Sequence, residues 1–465
     1  MISDHIFRAY DIRGIVGEDF DANGAYSVGK AYATYLIRHD GIAKPSICVG
    51  RDGRLSGREI QKAFIEGVLS TGADVTDIEE STSPLLFFSI CHGKFDGGVN
   101  ITASHNPRDY NGFKLQRQHA HAICGDEILA IRDLCHSDNQ EEGSGNLKKD
   151  SFQDAYFEKI TSLVSITGNP KIVFDAGNGI TGKFAPDLFT SLGVNVRPLY
   201  CEVDGNFPHH DADPEVEENL SDLKRAVKEE GADLGVAFDG DGDRVGFVDA
   251  EGNHYSADLI LLLLSRDLLQ RHPKAKIVID LKATQVLFEE IRRLGGEGIM
   301  VKTGHSFVEE KMRETHALLG GEVSGHLFFG ENYYGFDDAF LAAAKVIEIL
   351  QKSGKSLAEH FQGLPKVFNT PEIKVECPEE KKFLVVQKLV DFFLKTYGPE
   401  KCLTIDGIRI DFGDGAWGIV RASNTSPKIT LRFEARTPEK REEIRNIVEG
   451  KLHQELKEDL LLRNF

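Results

Sequence analysis

Asn169-Pro170-Lys171-Ile172-Val173-Phe174-Asp175-Ala176-Gly177 is a short β-prone run with a basic lead and an Asp-Gly end. The stretches at residues 44–52 and 274–282 have the same form, and a helical pattern follows each of the three. Alternating strands and helices are typical of α/β organisation. The three stretches lie roughly 100 residues apart, about one domain length. They predict three related α/β domains. The alternative interpretation is a chance similarity between generic buried strands.

Composition shifts predict four domains. The expected bounds are residues 1–150, 151–252, 253–366 and 367–465. The last unit differs from the others because helical patterns flank several short strands, which indicates a smaller α+β domain. Helices are predicted at residues 22–36, 58–69, 152–164, 379–396 and 438–459, and strands of the last unit at 403–405, 408–412, 416–421 and 428–435.

The charge of the chain makes two classes of partner unfavourable. It has 465 residues and a formal net charge of −19, with 74 acidic against 55 basic side chains. This balance argues against nucleic-acid binding and against attachment to anionic membranes. An anionic substrate would need positive charge concentrated in a cleft. The seven scattered cysteines and the absence of a signal-peptide pattern favour free thiols and the cytoplasm.

The stretch Thr102-Ala103-Ser104-His105-Asn106-Pro107 is the first candidate site. It follows the β-prone run 98–102 and leads into polar loop residues ending at Asn111-Gly112. We expect Ser104 to be exposed at the end of a strand and held by a rigid scaffold. It can carry a covalent group, with His105 as a neighbouring proton-transfer residue. The same composition also suits an ordinary polar turn.

The stretch Asp239-Gly240-Asp241-Gly242-Asp243-Arg244 lies between two β-prone runs. In an extended loop, residues two apart point to the same side, so Asp239, Asp241 and Asp243 can converge. Three carboxylates suit Mg²⁺, which prefers oxygen ligands. An EF-hand is excluded, because Arg244 and Ala250 occupy the positions where that loop needs Gly and Glu. A solvated acidic turn is the alternative.

Two further loops are polar and rich in small residues. In Gly320-Gly321-Glu322-Val323-Ser324-Gly325-His326, extended backbone would aim Glu322 and Ser324 the same way, toward sugar hydroxyls. The stretch Arg421-Ala422-Ser423-Asn424-Thr425-Ser426-Pro427 suits a phosphate cradle. Either stretch also suits a plain turn. Other candidates for a positive or polar cleft are Arg13 in the segment 10–14, Lys114, Arg244, Lys282 and His305.

With these four motifs in this order, the chain resembles the α-D-phosphohexomutase superfamily, in its bacterial phosphomannomutase/phosphoglucomutase branch. The resemblance covers nearly the whole chain, from the segment 10–14 to the loop 421–427. It implies three α/β domains with mixed sheets and a C-terminal α+β domain of TATA-binding-protein-like fold, arranged around a central cleft.

The resemblance also implies roles for individual residues. Ser104 matches the phosphoserine, and Asp239, Asp241 and Asp243, with a phosphoserine oxygen, match the Mg²⁺ ligands. The catalytic candidates are Ser104, His105, Lys114, Arg244 and His326. The substrate-binding candidates are Tyr10, Arg13, Lys282, His305, Glu322, Ser324, Arg421, Ser423, Asn424 and Thr425.

The reaction implied is reversible phosphoryl transfer between O1 and O6 of mannose or glucose phosphates, through phosphoserine and a hexose 1,6-bisphosphate. Val323 departs from the usual Met of this branch, but glucosamine mutases typically carry Gln there and Gly in place of Asn424. The expected partner is a small phosphosugar, with no nucleic acid or membrane, and the chain is expected to be a monomer or weak homo-oligomer. The alternatives are phosphoglucosamine mutase and a non-catalytic phosphosugar-binding homologue.

Overall fold

Four β-sheets follow one another along the computed structural model, which describes residues 2–423 and 427–461. The first sheet has the order β1-β5-β4-β2-β3-β6. Its strands are β1 (Ile12–Ile15), β2 (Ser46–Arg51), β3 (Asp74–Glu80), β4 (Gly97–Ile101), β5 (Tyr110–Arg117) and β6 (Leu147–Lys149). Its helices are α1 (Ala22–His39), α2 (Gly57–Leu69), α3 (Ser83–Gly93) and α4 (Asp126–Cys135).

The second sheet has the order β11-β10-β9-β7-β8. Its strands are β7 (Lys171–Asp175), β8 (Asn195–Leu199), β9 (Leu234–Phe238), β10 (Val245–Asp249) and β11 (His254–Tyr255). The helices of this part are α5 (Gln153–Leu163), α6 (Thr181–Ser191) and α7 (Ser221–Glu230).

The third sheet has the order β13-β12-β14-β15. Its strands are β12 (Lys276–Asp280), β13 (Glu297–Val301), β14 (Leu319–Gly321) and β15 (Leu327–Phe329). The helices around it are α8 (Ala257–Arg271), α9 (Gln285–Arg293), α10 (His305–Thr315), α11 (Ala339–Ser353) and α12 (Leu357–His360).

The three sheets repeat one arrangement of four strands. The strand from each repeated stretch (β2, β7 or β12) pairs in parallel on both sides. One of its neighbours (β4, β9 or β14) then pairs with the next strand in antiparallel fashion. The mixed sheets and their shared topology confirm the prediction of three related α/β domains.

Side-chain alternation explains why helices cover both faces of each sheet. Ile47 and Val49 of β2 pack in the cluster with α1, α2 and α4, while Cys48 between them packs in the cluster that contains α3. In β12, Val278 packs with α10, whereas Ile277 and Ile279 face the other cluster. Strands buried on both faces read as continuous apolar runs, which is the pattern the sequence shows.

The fourth sheet is antiparallel throughout. Its strands are β16 (Phe368–Asn369), β17 (Ile373–Glu376), β18 (Cys402–Leu403), β19 (Ile408–Gly413), β20 (Ala416–Ala422) and β21 (Lys428–Ala435), and its helices are α13 (Glu379–Tyr397) and α14 (Pro438–Leu461). Apolar side chains of both helices share one core with the sheet. This is the predicted α+β domain.

The five predicted helices lie within three residues of their observed bounds. Two predicted bounds of strands and loops are wrong. The strand predicted at 403–405 ends at Leu403, because the chain must turn there to enter β19. Asn111 and Gly112 belong to β5, where they pair with Gly14 and Arg13, and do not end the Ser104 loop. The domain bounds stay a prediction. The predicted bound between residues 252 and 253 separates β10 from β11, although these two strands pair in one sheet.

The first three sheets share a large apolar cluster, whereas the fourth is joined to the third by a small one. Leu281, Trp417 and Ile419 form that small cluster. Polar contacts supplement it, including Arg409 to the carbonyl of Ala283 at 3.1 Å and Gln285 N to Glu434 at 2.8 Å. Among the described helices, none is both long and apolar enough to cross a membrane.

Candidate active site

The predicted motifs occupy equivalent turns in the four sheets. Each turn joins two antiparallel neighbours: β4 to β5, β9 to β10, β14 to β15 and β20 to β21. Residues of the first, third and fourth turns line one cavity of about 490 Å³, which Arg244 of the second turn also lines. The shared topology therefore brings sequence-distant loops to one place.

Ser104 is 2% exposed, which corrects the prediction of an exposed serine. The neighbouring acidic turn packs on its loop, and Ser104 lines the cavity. The Oγ donates a hydrogen bond to Asp239 Oδ2 at 2.5 Å and lies 3.2 Å from His105 Nδ1. Burial and the charge of Arg244 hold the pKa of His105 well below its usual value, so this ring is neutral.

Asp239, Asp241 and Asp243 converge as predicted, with carboxylate oxygens within 4.8 Å of one another. The backbone is a turn, not the extended loop we expected. Asp239 Oδ1 accepts backbone hydrogen bonds from Gly242, Asp243 and Arg244 at 2.9–3.2 Å, which closes the turn.

The position of Gly240 explains one glycine of this motif. A Cβ at Gly240 would lie 2.3 Å from the Ser104 carbonyl oxygen. Only glycine allows this approach, because no larger residue fits against fixed backbone. The acidic turn and the serine loop are therefore in direct contact.

The carboxylate cluster fits a divalent cation. Within the described part of the chain, Asp241 Oδ1 and Asp243 Oδ1 are buried without a hydrogen-bond partner. Burial and the charges of Asp243 and Asp241 raise the pKa of Asp239 well above its usual value. Hard carboxylate oxygens that are buried, unpartnered and mutually repelling are suited to bind a hard metal ion.

Lys114 contacts two of these carboxylates, which the sequence did not predict. Its Nζ donates to Asp241 Oδ2 at 2.7 Å and also contacts Asp243 Oδ2. Burial alone would lower the pKa of Lys114, but the two carboxylates raise it above its usual value, so the side chain stays an ammonium. Burial would raise the pKa of Asp243, yet Lys114 holds it well below its usual value.

His326 is held in one tautomer by its neighbours. Its Nδ1 lies 2.7 Å from Asp337 Oδ2, and Arg244 Nε donates to its Nε2 at 3.0 Å. Nδ1–H must therefore donate to Asp337, leaving Nε2 as an acceptor. Burial alone would lower the pKa of His326, but Asp243 and Asp337 raise it, so its neutral form is a stronger base than a free imidazole.

The cavity concentrates positive charge on a strongly acidic protein, as we expected for an anionic substrate. Its described lining has eight Lys or Arg residues against four Asp or Glu. The predicted residues in this lining are Tyr10, Arg13, Ser104, His105, Lys114, Arg244, Lys282, His305, Glu322, Ser324, His326, Arg421 and Ser423. Opposed cationic walls suit a ligand with phosphate groups.

Glu322 and Ser324 both line the cavity, although they lie in a turn and not in extended backbone. Gly325 N donates to the Glu322 carbonyl at 3.2 Å, which closes the turn between β14 and β15. Glu322 Oε1 accepts from Gly304 N at 2.7 Å, which orients the carboxylate next to His305. The pair offers acceptors and one hydroxyl donor to a polar ligand.

The fourth loop contributes Arg421 and Ser423 to the same cavity. Arg421 Nε donates to Asp406 Oδ2 at 2.7 Å, so the guanidinium is fixed in orientation. The predictions for Asn424 and Thr425 lie outside the described residues. Lys374 and Lys428 add charge at this end of the cavity, and the sequence did not single them out.

Other residues that our sequence reasoning missed act through long-range contacts. Ser83 at the start of α3 donates to Asp241 Oδ2 at 2.6 Å and anchors the acidic turn to the first domain. Asp337 orients His326. Arg54 contacts the serine loop. Of these residues, only Arg54 could have been found from the sequence, because it directly follows the repeated stretch at 44–52 in a charged turn.

Comparison with known families agrees with this architecture. The first three domain models of phosphoglucomutase/phosphomannomutase, each described as an alpha/beta/alpha domain, match residues 4–142, 154–252 and 256–368. The model of the C-terminal domain matches residues 372–451. The chain therefore belongs to the phosphoglucomutase/phosphomannomutase family, within the α-D-phosphohexomutase superfamily.

Individual relatives are similar over nearly their whole length. A protein of Pseudomonas aeruginosa named phosphomannomutase/phosphoglucomutase is 42% identical over 96% of this chain and 95% of its own. A phosphoglucomutase of Neisseria gonorrhoeae is 41% identical over 96% of each chain. The crystal structure of a phosphoglucomutase/phosphomannomutase family protein from Burkholderia thailandensis superimposes with a TM-score of 0.91, at 38% identity and 98% coverage of both chains.

Proposed function

We propose that this protein is an isomerase that moves a phosphoryl group between O1 and O6 of mannose or glucose phosphates. One observation carries the proposal: Ser104 Oγ lies 2.5 Å from Asp239 of a buried carboxylate trio, beside a cation-lined cavity. The names of the relatives support the hexose phosphates as substrates. Ser104 would carry the phosphoryl group, and a hexose 1,6-bisphosphate would be both intermediate and activator.

Each half-reaction is an in-line transfer. The bond from phosphorus to Ser104 Oγ breaks while a bond forms to the oxygen of the free sugar hydroxyl. Ser104 accepts the other phosphate after the bisphosphate has turned over in the cavity. His326, Lys114 and His105 are the proton-transfer candidates. His326 Nε2 would take the hydroxyl proton once the substrate has displaced the Arg244 Nε–H that it accepts here, whereas Lys114, as an ammonium, would donate a proton to the departing oxygen. General base catalysis of this kind contributes about 10²–10⁴-fold.

The protein contributes charge neutralisation and positioning, which dominate catalysis of phosphoryl transfer. Asp239, Asp241, Asp243 and a phosphoserine oxygen would hold Mg²⁺, which as a Lewis acid offsets negative charge on the transferring group. Lys114 and Arg244 supply fixed positive charge beside Ser104.

The remaining cavity residues bind the part of the substrate that does not react. Arg421 and Ser423, with Asn424 and Thr425 of the same loop, would bind the distal phosphate. Its binding energy orients the sugar. Glu322 and Ser324 would bind the O3 and O4 hydroxyls, and Tyr10, Arg13, Lys282 and His305 complete the cleft. Because these contacts do not involve O2, where glucose and mannose differ, either sugar can bind.

The experiment that tests this function is a mutase assay with Mg²⁺ and a trace of glucose 1,6-bisphosphate. Glucose 1-phosphate, mannose 1-phosphate and glucosamine 1-phosphate are compared at equal concentration. We expect turnover of the glucose or mannose ester to exceed that of the glucosamine ester. Preference for glucosamine 1-phosphate would favour phosphoglucosamine mutase, and binding without turnover would favour the non-catalytic alternative.

We predict that the fourth domain closes on the substrate. This domain supplies Arg421, yet it packs on the third domain mainly through polar contacts and a three-residue apolar cluster. Small-angle scattering should show a smaller radius of gyration with glucose 1-phosphate bound, and Arg421→Met should lose that contraction. Identical dimensions of the free and saturated protein would contradict closure.

We propose that the protein is located in the cytoplasm. All seven cysteines are free thiols, which is consistent with a reducing compartment and supports the cytoplasm as the location. We propose a monomer or weak homo-oligomer, because all four domains of this chain contribute residues to the described lining of the cavity. Light scattering at several protein concentrations tests this assembly.

A further inference from the structure

Arg54 is a fully buried arginine whose guanidinium donates most of its hydrogen bonds to carbonyls next to Ser104. Its guanidinium carbon also lies 5.2 Å from the centre of the Phe207 ring. Its Nη1 donates to the carbonyls of Pro107 and Tyr110 at 2.7 and 3.0 Å. Its Nη2 donates to the carbonyls of Ser104 and Asn106 at 2.8 and 2.6 Å. The guanidinium thus binds three carbonyls of the serine loop and the carbonyl of the first residue of β5, and its remaining donor, Nε, donates to Asp52 Oδ2 at 3.2 Å.

Asp52 links Arg54 to the backbone of Ser104 through Thr102. The carboxylate Oδ2 accepts from Thr102 Oγ1 at 2.7 Å, and Thr102 Oγ1 accepts from Ser104 N at 2.9 Å. Asp52 also accepts from Arg54 N through Oδ1 at 3.0 Å. Both the amide and the carbonyl of Ser104 are therefore held by the same buried network.

This network holds a backbone conformation that serine does not adopt freely. Ser104 has a φ of +49°, in the left-handed region that favours glycine. Such a conformation persists only where the surroundings impose it. Gly240 touches the Ser104 carbonyl from the acidic turn, so a shift of this peptide would also move Oγ relative to Asp239.

We infer that Arg54, held by Asp52, is a positioning residue that fixes the Ser104 loop so that Oγ faces the carboxylate trio and the cavity. The inference rests on the proposed function for its effect on turnover. Arg54 is not among the described residues that line the cavity, and it contacts the lining residues Ser104, Asn106 and Tyr110 through their carbonyl oxygens. Its loss should therefore slow the chemical step and leave substrate binding nearly unchanged.

Lysine cannot replace Arg54 in this role. The guanidinium presents five N–H donors in a rigid plane, and here all five have acceptors, whereas an ammonium has three donors on a flexible stem. Arg54→Lys keeps the charge but cannot bind four carbonyls and a carboxylate at once. The comparison separates positioning from simple charge neutralisation.

The test compares Arg54→Lys with Arg117→Lys. Arg117 also lies in the first domain and pairs with Asp40 and Glu127, away from the serine loop. We expect Arg54→Lys to lower kcat about 10²-fold, the scale of a 1 Å misplacement, with KM within about twofold of the wild type. Arg117→Lys should retain wild-type kcat. Folded Arg54→Lys with wild-type kcat, or with KM rising as fast as kcat falls, would overturn the inference.

Two further measurements keep the test decisive. If Arg54→Lys does not fold, Thr102→Val should lower kcat with KM nearly unchanged, and Thr102→Ser, which retains the hydroxyl, should restore most of it. Equal kcat for these two variants would overturn the inference. Hydrogen exchange of the peptide covering residues 102–112 should be faster in Arg54→Lys than in the wild type, and unchanged exchange would contradict it. A wild-type protein without mutase activity would refute the proposed function. The hydrogen exchange measurement would still test whether Arg54 fixes the Ser104 loop, because it does not depend on activity.

Discussion

Replacing Ser104 by alanine is expected to lower mutase turnover on the order of 10⁴-fold or more, the scale seen when the residue that forms the covalent intermediate is removed. The variant loses the oxygen that carries the phosphoryl group, while the cavity and the carboxylate trio stay in place. Substrate binding should persist, because the distal phosphate and the sugar contact other loops. Initial rates with glucose 1-phosphate and calorimetric binding of the same ester give both quantities.

Ser89→Ala is the matched control for this variant. Ser89 is also buried in the first domain, but its Oγ donates to the Leu85 carbonyl within α3, and it is absent from the described lining of the cavity. It should retain wild-type turnover. A folded Ser104→Ala variant with turnover within tenfold of the wild type would exclude the phosphoserine mechanism.

Removal of divalent cations is expected to have the second largest effect, a loss of turnover on the order of 10³-fold, which corresponds to several kcal/mol of lost charge stabilisation. Mg²⁺ should restore activity. It should also raise the melting temperature, because it relieves repulsion among the buried Asp239, Asp241 and Asp243. Turnover and thermal unfolding are measured with chelator and after Mg²⁺ is added back.

Asp241→Asn and Asp77→Asn separate this site from general effects of lost charge. Asp77 is a buried carboxylate of β3 that accepts from Gln61 at 2.8 Å, far along the chain from the trio. Asp77→Asn should keep the Mg²⁺-dependent rise in melting temperature, and Asp241→Asn should lose it. Full activity in chelator would mean that Lys114, which already contacts Asp241 and Asp243, neutralises the trio without a metal.

The sequence predicted the features that depend on local pattern. Buried strands such as Ile172–Phe174 read as apolar runs because both faces are covered, so the repeat and the α/β class were visible. Alternating aspartates and glycines indicated that the three carboxylates converge. In each of the first three sheets, the turn between the two antiparallel strands lies at the same position, and this turn carries the predicted motif.

The sequence could not predict features that depend on contacts between distant segments. Ser104 is buried because Gly240, more than a hundred residues further along, packs on its carbonyl. Lys114 lies in a strand pattern, and nothing local shows that its ammonium reaches Asp241. Asp337 and Arg54 likewise act on His326 and Ser104 only through the tertiary fold. Periodicity reports which face of an element is buried, but not which residue it meets.

A single-turnover transfer from labelled phosphoserine is the most direct test of the proposed mechanism. The protein is phosphorylated with ³²P-labelled glucose 1,6-bisphosphate, the label is mapped to Ser104 by mass spectrometry, and unlabelled glucose 1-phosphate is added with rapid quenching. We predict that the label leaves Ser104 within one turnover and appears in glucose 1,6-bisphosphate, then in glucose 6-phosphate. Label that stays on the protein during turnover, or that leaves only as inorganic phosphate, would contradict phosphoryl transfer through Ser104.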